Sequence, residues 1–186
     1  MDKKNLSVIR QNFGNVVYTQ KCHEIAAEFD MKYHTYIKVI NIIIVSLILI
    51  FLIIQVNQMD NPLYSYICAG LTIGDIIFLI TQLNFNFVDQ ATQHKKVALS
   101  LIPIREKYIS LMADILNTSI TIKDTIKCRD QLLSECSTIY HFSPITSRYV
   151  FKEAQRRLNP RGIVDGEDFT FTDEEINRFL PQELQI

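Results

Sequence analysis

The chain has 186 residues, of which 48% are hydrophobic, and its formal net charge is −1. This length leaves room for one membrane hairpin and one small additional module. A net charge so close to zero excludes the strongly basic surface with which proteins bind nucleic acid polymers.

The N-terminal region, residues 1–38, is predicted to contain an amphipathic helix. Residues 1–12 are polar and are expected to fray. From about Phe13 apolar residues recur at spacings of three and four, at Val17, Tyr18, Cys22, Ile25, Phe29, Tyr33 and Tyr36. Because no Gly or Pro follows before residue 39, one helix is expected to continue into the next segment.

The first apolar segment, 39–56, has 18 residues without a charge. At 1.5 Å per residue it reaches roughly 27 Å, close to the thickness of the bilayer hydrocarbon. Its Val, Ile, Leu and Phe side chains, at roughly −0.3 to −0.6 kcal/mol each, outweigh its three polar residues. It is predicted to insert unaided as a transmembrane helix.

The second apolar segment, 63–83, also reads as a transmembrane helix, but its insertion is weaker. Asp75 lies near its centre, and a central Asp costs about 2.5–3.5 kcal/mol, which offsets most of the gain from its apolar residues. This helix is therefore expected to need the first helix, or a bundle, as a partner.

Basic residues predict the orientation of this hairpin. They flank its open end, at Lys21, Lys32, Lys38, Lys95 and Lys96, and are missing from the connecting loop 57–62. By the positive-inside rule both termini are cytoplasmic. The alternative, a buried hairpin of a soluble protein, is disfavoured by the charge-free, Ile-rich first segment.

After the second span, residues 84–158 are predicted to form a cytoplasmic helical region. Its first part alternates spacings of four and three like a coiled-coil seam, at His94, Ala98, Leu101, Ile104, Tyr108, Leu111 and Ile115. Pro103 is expected to kink or break this helix. The simplest partner for the seam is the N-terminal helix, which would form an antiparallel stalk with it.

Two further helices are predicted in this region. Thr121, with Asp124 three residues later, is a plausible N-cap for the first, whose apolar face would be Ile122, Ile126, Leu133 and Cys136. Ser143 and Pro144 are predicted to open the second, which would bury Ile145, Tyr149 and Leu158 and end before Asn159-Pro160.

The C-terminal region, 159–186, combines an acidic stretch at 165–168 with a capping box at Thr172–Glu175. The capping box predicts a short helix from Glu174 to Leu180. No segment reads as a strand. The predicted fold is therefore all-α: a two-helix transmembrane hairpin extended by a cytoplasmic helical stalk and a small helical C-terminal region.

Catalytic and metal-binding patterns are missing from the sequence. It has no Gly-rich phosphate loop, HExxH or GxSxG motif, and its histidines and four cysteines lack catalytic or zinc spacing. Neither an enzyme nor a cofactor or metal site is expected. Arg156, Arg157 and Arg161 suggest either an anion contact or, more simply, a solvated helix end.

The second span has two distinct faces. At about 100° per residue, Gly70 and Gly74 lie within about 40° of each other, which suits close packing of a neighbouring helix. The polar residues Cys68, Thr72, Asp75 and Gln82 lie roughly 140° away. We expect these four residues to line a pore between several copies of the chain, because two helices cannot enclose a channel.

An alternative for Asp75 is purely structural. Its carboxyl group would then form a hydrogen bond with Asn41, Ser46 or another polar group of the first span and lock the hairpin. The sequence alone leaves both interpretations open.

Three segments resemble the SLATT domain family. They are Tyr18-Thr-Gln-Lys-Cys-His23, the stretch from Ala154 to Pro160, and Phe171-Thr-Asp-Glu-Glu-Ile-Asn-Arg-Phe-Leu-Pro181. Together with the two spans, the resemblance covers nearly the whole chain. Members of this family are bacterial two-helix membrane effectors found beside cyclic-oligonucleotide synthases (SMODS) and SLOG nucleotide sensors.

The resemblance implies a role in cyclic-oligonucleotide anti-phage defence (CBASS). A homo-oligomer in the bacterial inner membrane would form a pore, and the resulting ion leakage would cause abortive infection. Its trigger would be a cyclic oligonucleotide or a nucleotide-sensing partner protein. The alternative is a membrane-anchored adaptor or scaffold whose cytoplasmic helices recruit a signalling partner, with the spans serving only as an anchor.

Overall fold

The computed structural model describes residues 3–57, 62–84, 86–158 and 170–186. These residues are helical and contain no β-strand, which confirms the predicted all-α fold. The helices are α1 (Lys3–Asn57), α2 (Leu63–Asn84), α3 (Phe87–Leu116), α4 (Ile122–His141), α5 (Arg148–Leu158), α6 (Asp173–Asn177) and a 3₁₀ helix (Gln182–Leu184). The predictions for loop residues 58–61, for the helix end at Asn159-Pro160, for Arg161 and for the acidic stretch 165–168 lie outside the described residues.

The chain divides into two compact units. The core unit comprises Met1–Ala27 and Thr92–Ile186, and the hairpin unit comprises Glu28–Ala91. The α1 helix contributes to both units and has no break, as expected from the lack of Gly and Pro between residues 15 and 38.

The first turns of α1 differ from the sequence prediction. Residues 1–12 were expected to fray, but α1 begins at Lys3, and Leu6, Ile9 and Phe13 are at most 3% exposed. These three residues belong to the main apolar cluster, together with residues of α3, α4 and the C-terminal segment. Burial against partners distant in sequence therefore stabilises a helix whose local composition is polar.

The predicted seam of α3 is confirmed. Its seven residues are all 7% exposed or less, and Leu101, Ile104 and Tyr108 share one apolar cluster with Val16 and Val17 of α1. Pro103 does not end the helix, which continues through it to Leu116.

The N-cap of α4 is confirmed, but three of the four residues predicted for its apolar face are exposed, and only Cys136 is buried. The Thr121 hydroxyl accepts a hydrogen bond from the Asp124 backbone N–H at 3.2 Å. The buried residues are Thr125, Leu132 and Cys136, whereas the predicted Ile122 is 59% exposed, Ile126 37% and Leu133 40%. Apolar residues occupy two adjacent faces of α4, so periodicity alone cannot tell which face is buried.

The predicted start of α5 is also wrong. The Ser143 hydroxyl donates to the Ile139 carbonyl of the preceding helix at 2.7 Å, whereas the Ser147 hydroxyl accepts from the Val150 backbone N–H. The helix consequently begins at Arg148. Ile145 is then 96% exposed and Tyr149 67%, while Val150 and Ala154 are buried.

The C-terminal segment, residues 170–186, carries the predicted capping box. The Thr172 side chain accepts from the Glu175 backbone N–H, and the Glu175 carboxylate accepts from the Thr172 backbone N–H. The helix ends at Asn177 rather than at Leu180. Ile176 and Leu180 are nonetheless buried in the main apolar cluster.

Polar contacts attach this segment to α1. The Gln11 side chain donates to the Phe171 carbonyl at 2.7 Å and accepts from the Phe171 N–H at 2.9 Å. Arg10, only 3% exposed, donates to the side chains of Asp173 and Asn177. One turn of α1 is thus joined to residues more than 150 positions away in sequence.

The hairpin unit presents apolar side chains to its surroundings. In the most apolar 18-residue window of α1 no residue is buried, and in that of the second apolar helix 6% are. The core helices of a soluble protein would bury such residues, so this exposure favours a membrane hairpin over a buried soluble one. Two long, exposed apolar helices of this length suit a bilayer.

Candidate functional site

The polar face of α2 turns towards α1 along most of its length. Cys68 is 6% exposed and Asp75 is 9% exposed, and Gln82 is half-buried. Thr72 is exposed, and its hydroxyl donates to the Cys68 carbonyl of its own helix at 2.8 Å. Of the four predicted pore-lining residues, Cys68, Asp75 and Gln82 therefore lie on the inner side of α2, and Thr72 lies at its edge.

Two contacts define the register of the hairpin. The Cys68 thiol lies 3.8 Å from the Ile48 carbonyl oxygen, to which it donates, and the Phe51 and Tyr64 rings stack with centroids 6.5 Å apart. The two helices are therefore antiparallel, with residue 48 level with residue 68. On both helices the partly buried positions recur at spacings of three and four, which is the pattern of a coiled-coil seam.

One oxygen of the Asp75 carboxyl group is buried without a partner among the described residues. Its Oδ1 atom has no hydrogen bond to any described residue, and the same is true of Gln82 Nε2 and Gln55 Oε1. The hydroxyl of Ser46, one of the partners considered for a structural lock, donates instead to the Ile42 carbonyl of its own helix at 2.7 Å. These polar atoms are thus buried between the two helices without a hydrogen-bond partner.

Gly70 and Gly74 lie on an open surface. A Cβ atom added at either position would meet no other heavy atom within 4 Å, apart from those of its own helical neighbourhood. Within the chain, the glycine face therefore contacts no other helix. It can accommodate the close approach of a helix from another molecule.

A pair of histidines that the sequence analysis treated as scattered meets in the core unit. The Nδ1 atoms of His23 and His94 lie 2.8 Å apart, and the two residues are 3% and 7% exposed. Burial, and secondarily the proximity of His94, lowers the pKa of His23 to about 4. The predicted seam of α3 includes His94, but the stripe predicted for α1 does not include His23, so these periodicities did not indicate the pair.

The core unit also has a cavity of about 360 Å³ between α3 and α4. Its apolar floor includes Leu111 and Leu132. Its charged residues are one lysine and three acids: Lys107, Glu106, Asp114 and Glu135. Lys107 forms an ion pair with Glu135 at 2.6 Å. The excess of carboxylates does not suit the phosphates of a nucleotide.

The other candidate ligand groups either are already hydrogen-bonded to protein side chains or do not cluster. Arg156 and Arg157, considered above for an anion contact, both donate to the Glu153 carboxylate. No group of three or more His, Cys, Asp or Glu residues able to hold a metal occurs among the described residues. Burial raises the pKa of the Cys22 thiol to about 11, so it is not a ready thiolate ligand.

Comparison with known proteins bears on these observations. No curated protein and no solved structure matches the chain. One family model, described as SMODS and SLOG-associating 2TM effector domain family 4, matches residues 6–175. This match includes both apolar helices, the histidine pair and the capping box. The chain therefore belongs to the SLATT family of two-span effectors that act in nucleotide-signalled defence systems.

Proposed function

We propose that this SLATT protein is a pore-forming effector of anti-phage defence. Several copies assemble in the bacterial inner membrane, with both termini in the cytoplasm, and the assembled pore leaks ions. The loss of membrane potential stops growth before the phage matures. The observation that carries this proposal is Asp75, an acid near the centre of a span whose Oδ1 atom is buried without a described hydrogen-bond partner.

The physical reason is the high free energy of such a group in a bilayer. An unsatisfied polar group in hydrocarbon costs several kcal/mol, and an intramembrane acid normally faces a bundle interior or water. Assembly through the open glycine face would provide that interior. A ring of carboxylates would then favour cations.

The activating signal is a cyclic oligonucleotide or a partner protein that senses one. The acidic cavity between α3 and α4 supports the second route, because its carboxylates would repel a phosphate backbone. Purified protein titrated with cyclic dinucleotides and cyclic trinucleotides should then show no binding in the absence of the partner.

The main test measures membrane potential in bacteria with a voltage-sensitive dye. The native chain, Asp75→Leu and Thr81→Leu are expressed with and without a cyclic-oligonucleotide synthase. Thr81 is a matched control, because it is exposed on the same helix and its hydroxyl donates to the Ile77 carbonyl at 2.9 Å. We expect signal-dependent depolarisation with the native chain and Thr81→Leu, and an altered response with Asp75→Leu.

A steady potential in every strain, with the protein present in the membrane fraction, would contradict the proposal. So would equal leakage from the native chain, Asp75→Leu and Asp75→Ala.

One observation favours the adaptor as a second candidate. Large apolar residues of the α4–α5 region are exposed, with Phe142 at 79%, Ile145 at 96% and Ile122 at 59%. A recruited protein could cover them. Replacing residues 39–83 with an unrelated two-span hairpin distinguishes the candidates, since an adaptor would keep its function and a pore would lose it.

A further inference from the structure

The seam between α1 and α2 carries a second set of polar residues, which the sequence analysis did not connect with the pore. On α1 the partly buried positions include His34, Asn41 and Gln55. These positions follow the stripe of Ile48 and Phe51, the residues that contact α2. The face of α1 that meets α2 is therefore not uniformly apolar.

The polar positions follow a seven-residue repeat. Ile48 of α1 contacts Cys68 of α2, and the two helices are antiparallel. Seven residues before Ile48 is Asn41, and seven residues after Cys68 is Asp75, so these two residues are level with each other. A further seven residues in the same directions lead to His34 on α1 and Gln82 on α2. An α-helix drifts by only about 20° per heptad, so each pair stays on the seam, and successive pairs are separated by about 10.5 Å.

At the opposite end of the span, a step of seven residues from Ile48 along α1 leads to Gln55. Its Oε1 atom is buried and has no described partner, as is also true of Asp75 Oδ1 and Gln82 Nε2. The unsatisfied atoms thus occur on both helices and near both ends of the apolar segments. None of these atoms has a hydrogen-bond partner among the described residues, and water or polar groups from another molecule can supply one.

We infer that α1 and α2 line the pore together, with Asn41 and Gln55 of α1 joining Asp75 and Gln82 of α2 along the seam. In the single chain, the seam closes over these groups. In the assembly, the seam opens towards the axis, and water and cations replace the missing hydrogen-bond partners. This inference rests on the proposed pore function.

Thiol labelling tests the inference in the full-length chain. Cys22, Cys68, Cys128 and Cys136 are replaced by Ser or Ala, and single cysteines are introduced as Asn41→Cys, Gln55→Cys, Asp75→Cys and Ser46→Cys. Ser46 is the matched control, because it is an exposed polar residue on another side of the same span. A membrane-impermeant, charged thiol reagent is added under the conditions that depolarise the cell.

We expect several-fold faster labelling at positions 41, 55 and 75 than at position 46, and only in the signalled state. Labelling at 75 without labelling at 41 and 55 would overturn the inference and leave a pore lined by α2 alone. Equal labelling at 46 and 41 would also overturn it. No labelling at 75, together with leakage that is unchanged in Asp75→Leu, would instead contradict the pore function itself.

Asn41→Leu and Gln55→Leu provide a second readout. Each should change the size or cation preference of the leak, whereas Ser46→Leu should leave both unchanged. If both Leu variants on the seam behave like Ser46→Leu while Asp75→Leu alters the leak, α1 does not contribute to the lining.

Discussion

Arg10 in the core unit and Asp75 in the hairpin unit are buried to a similar degree, but their surroundings differ. Arg10 is 3% exposed and donates to Asp173, to Asn177 and to the Leu184 carbonyl. Asp75 is 9% exposed, and its Oδ1 atom has no described partner. A buried charge is tolerated when it is paired and hydrogen-bonded, and otherwise it destabilises the fold.

The two residues differ in whether the single chain provides their hydrogen-bond partners. At Arg10, the chain supplies every partner itself. At Asp75, the chain supplies burial but no hydrogen bond. The proposed assembly would supply what the single hairpin lacks at Asp75, and the following predictions test whether the two units differ in this way.

The largest effect on folding is expected from Arg10→Ala. The change removes hydrogen bonds from a charged, buried donor and should lower the free energy of unfolding by roughly 2–3 kcal/mol. Asp173→Ala is the matched control. Its side chain is 74% exposed, so its loss should cost less than about 1 kcal/mol. Urea unfolding of the detergent-solubilised protein measures both, and equal losses would contradict the comparison.

Glycine substitutions should have opposite consequences in the two units. A Cβ atom at Gly14 would lie 2.6 Å from Cδ2 of Phe171, so Gly14→Ala should destabilise the core by roughly 1–2 kcal/mol. Gly70→Ala and Gly74→Ala meet no such contact and should fold normally. If the glycine face packs between copies, they should reduce chemical cross-linking of the oligomer. Normal cross-linking in both would place the interface elsewhere.

The effect of the histidine pair should depend on pH and be smallest at neutral pH. The His23 pKa is about 4 in the folded protein, below its ordinary value of 6.5. Between these values the unfolded chain binds more protons, so stability falls as pH decreases from 6.5 to 4 and is constant above 6.5. The expected fall in Tm over this range is roughly 6–12 °C.

His23→Gln should flatten this pH dependence, whereas His141→Gln, at an exposed position of α4, should not. A native Tm that does not change between pH 6.5 and 4 would show that protonation of this pair is not linked to unfolding.

The sequence predicted features that depend on local pattern. These are the two apolar helices, the seam of α3, and the caps at Thr121 and Thr172. Each follows from residues within a few turns of one another, for which periodicity and capping chemistry are reliable guides.

Features that depend on distant contacts were missed. The helical start of α1 is stabilised by residues 171–184, and the buried face of α4 depends on which of two apolar faces meets its neighbours. His23 and His94 are 71 positions apart. For the candidate site, the sequence identified polar residues of α2, but the polar positions of α1 became apparent only once the register of the hairpin was known.

The docking of the C-terminal segment on α1 also sets an order of events during synthesis. A chain leaves the ribosome from its N-terminus, so residues 39–83 can enter the membrane before residues 171–186 have been made. Until then, Arg10 and Gln11 lack the partners that satisfy them. A translation product that ends before this segment would have an inserted hairpin but a core unit that lacks the C-terminal contacts to α1. Completion of the core thus has to wait for synthesis of the C-terminal segment.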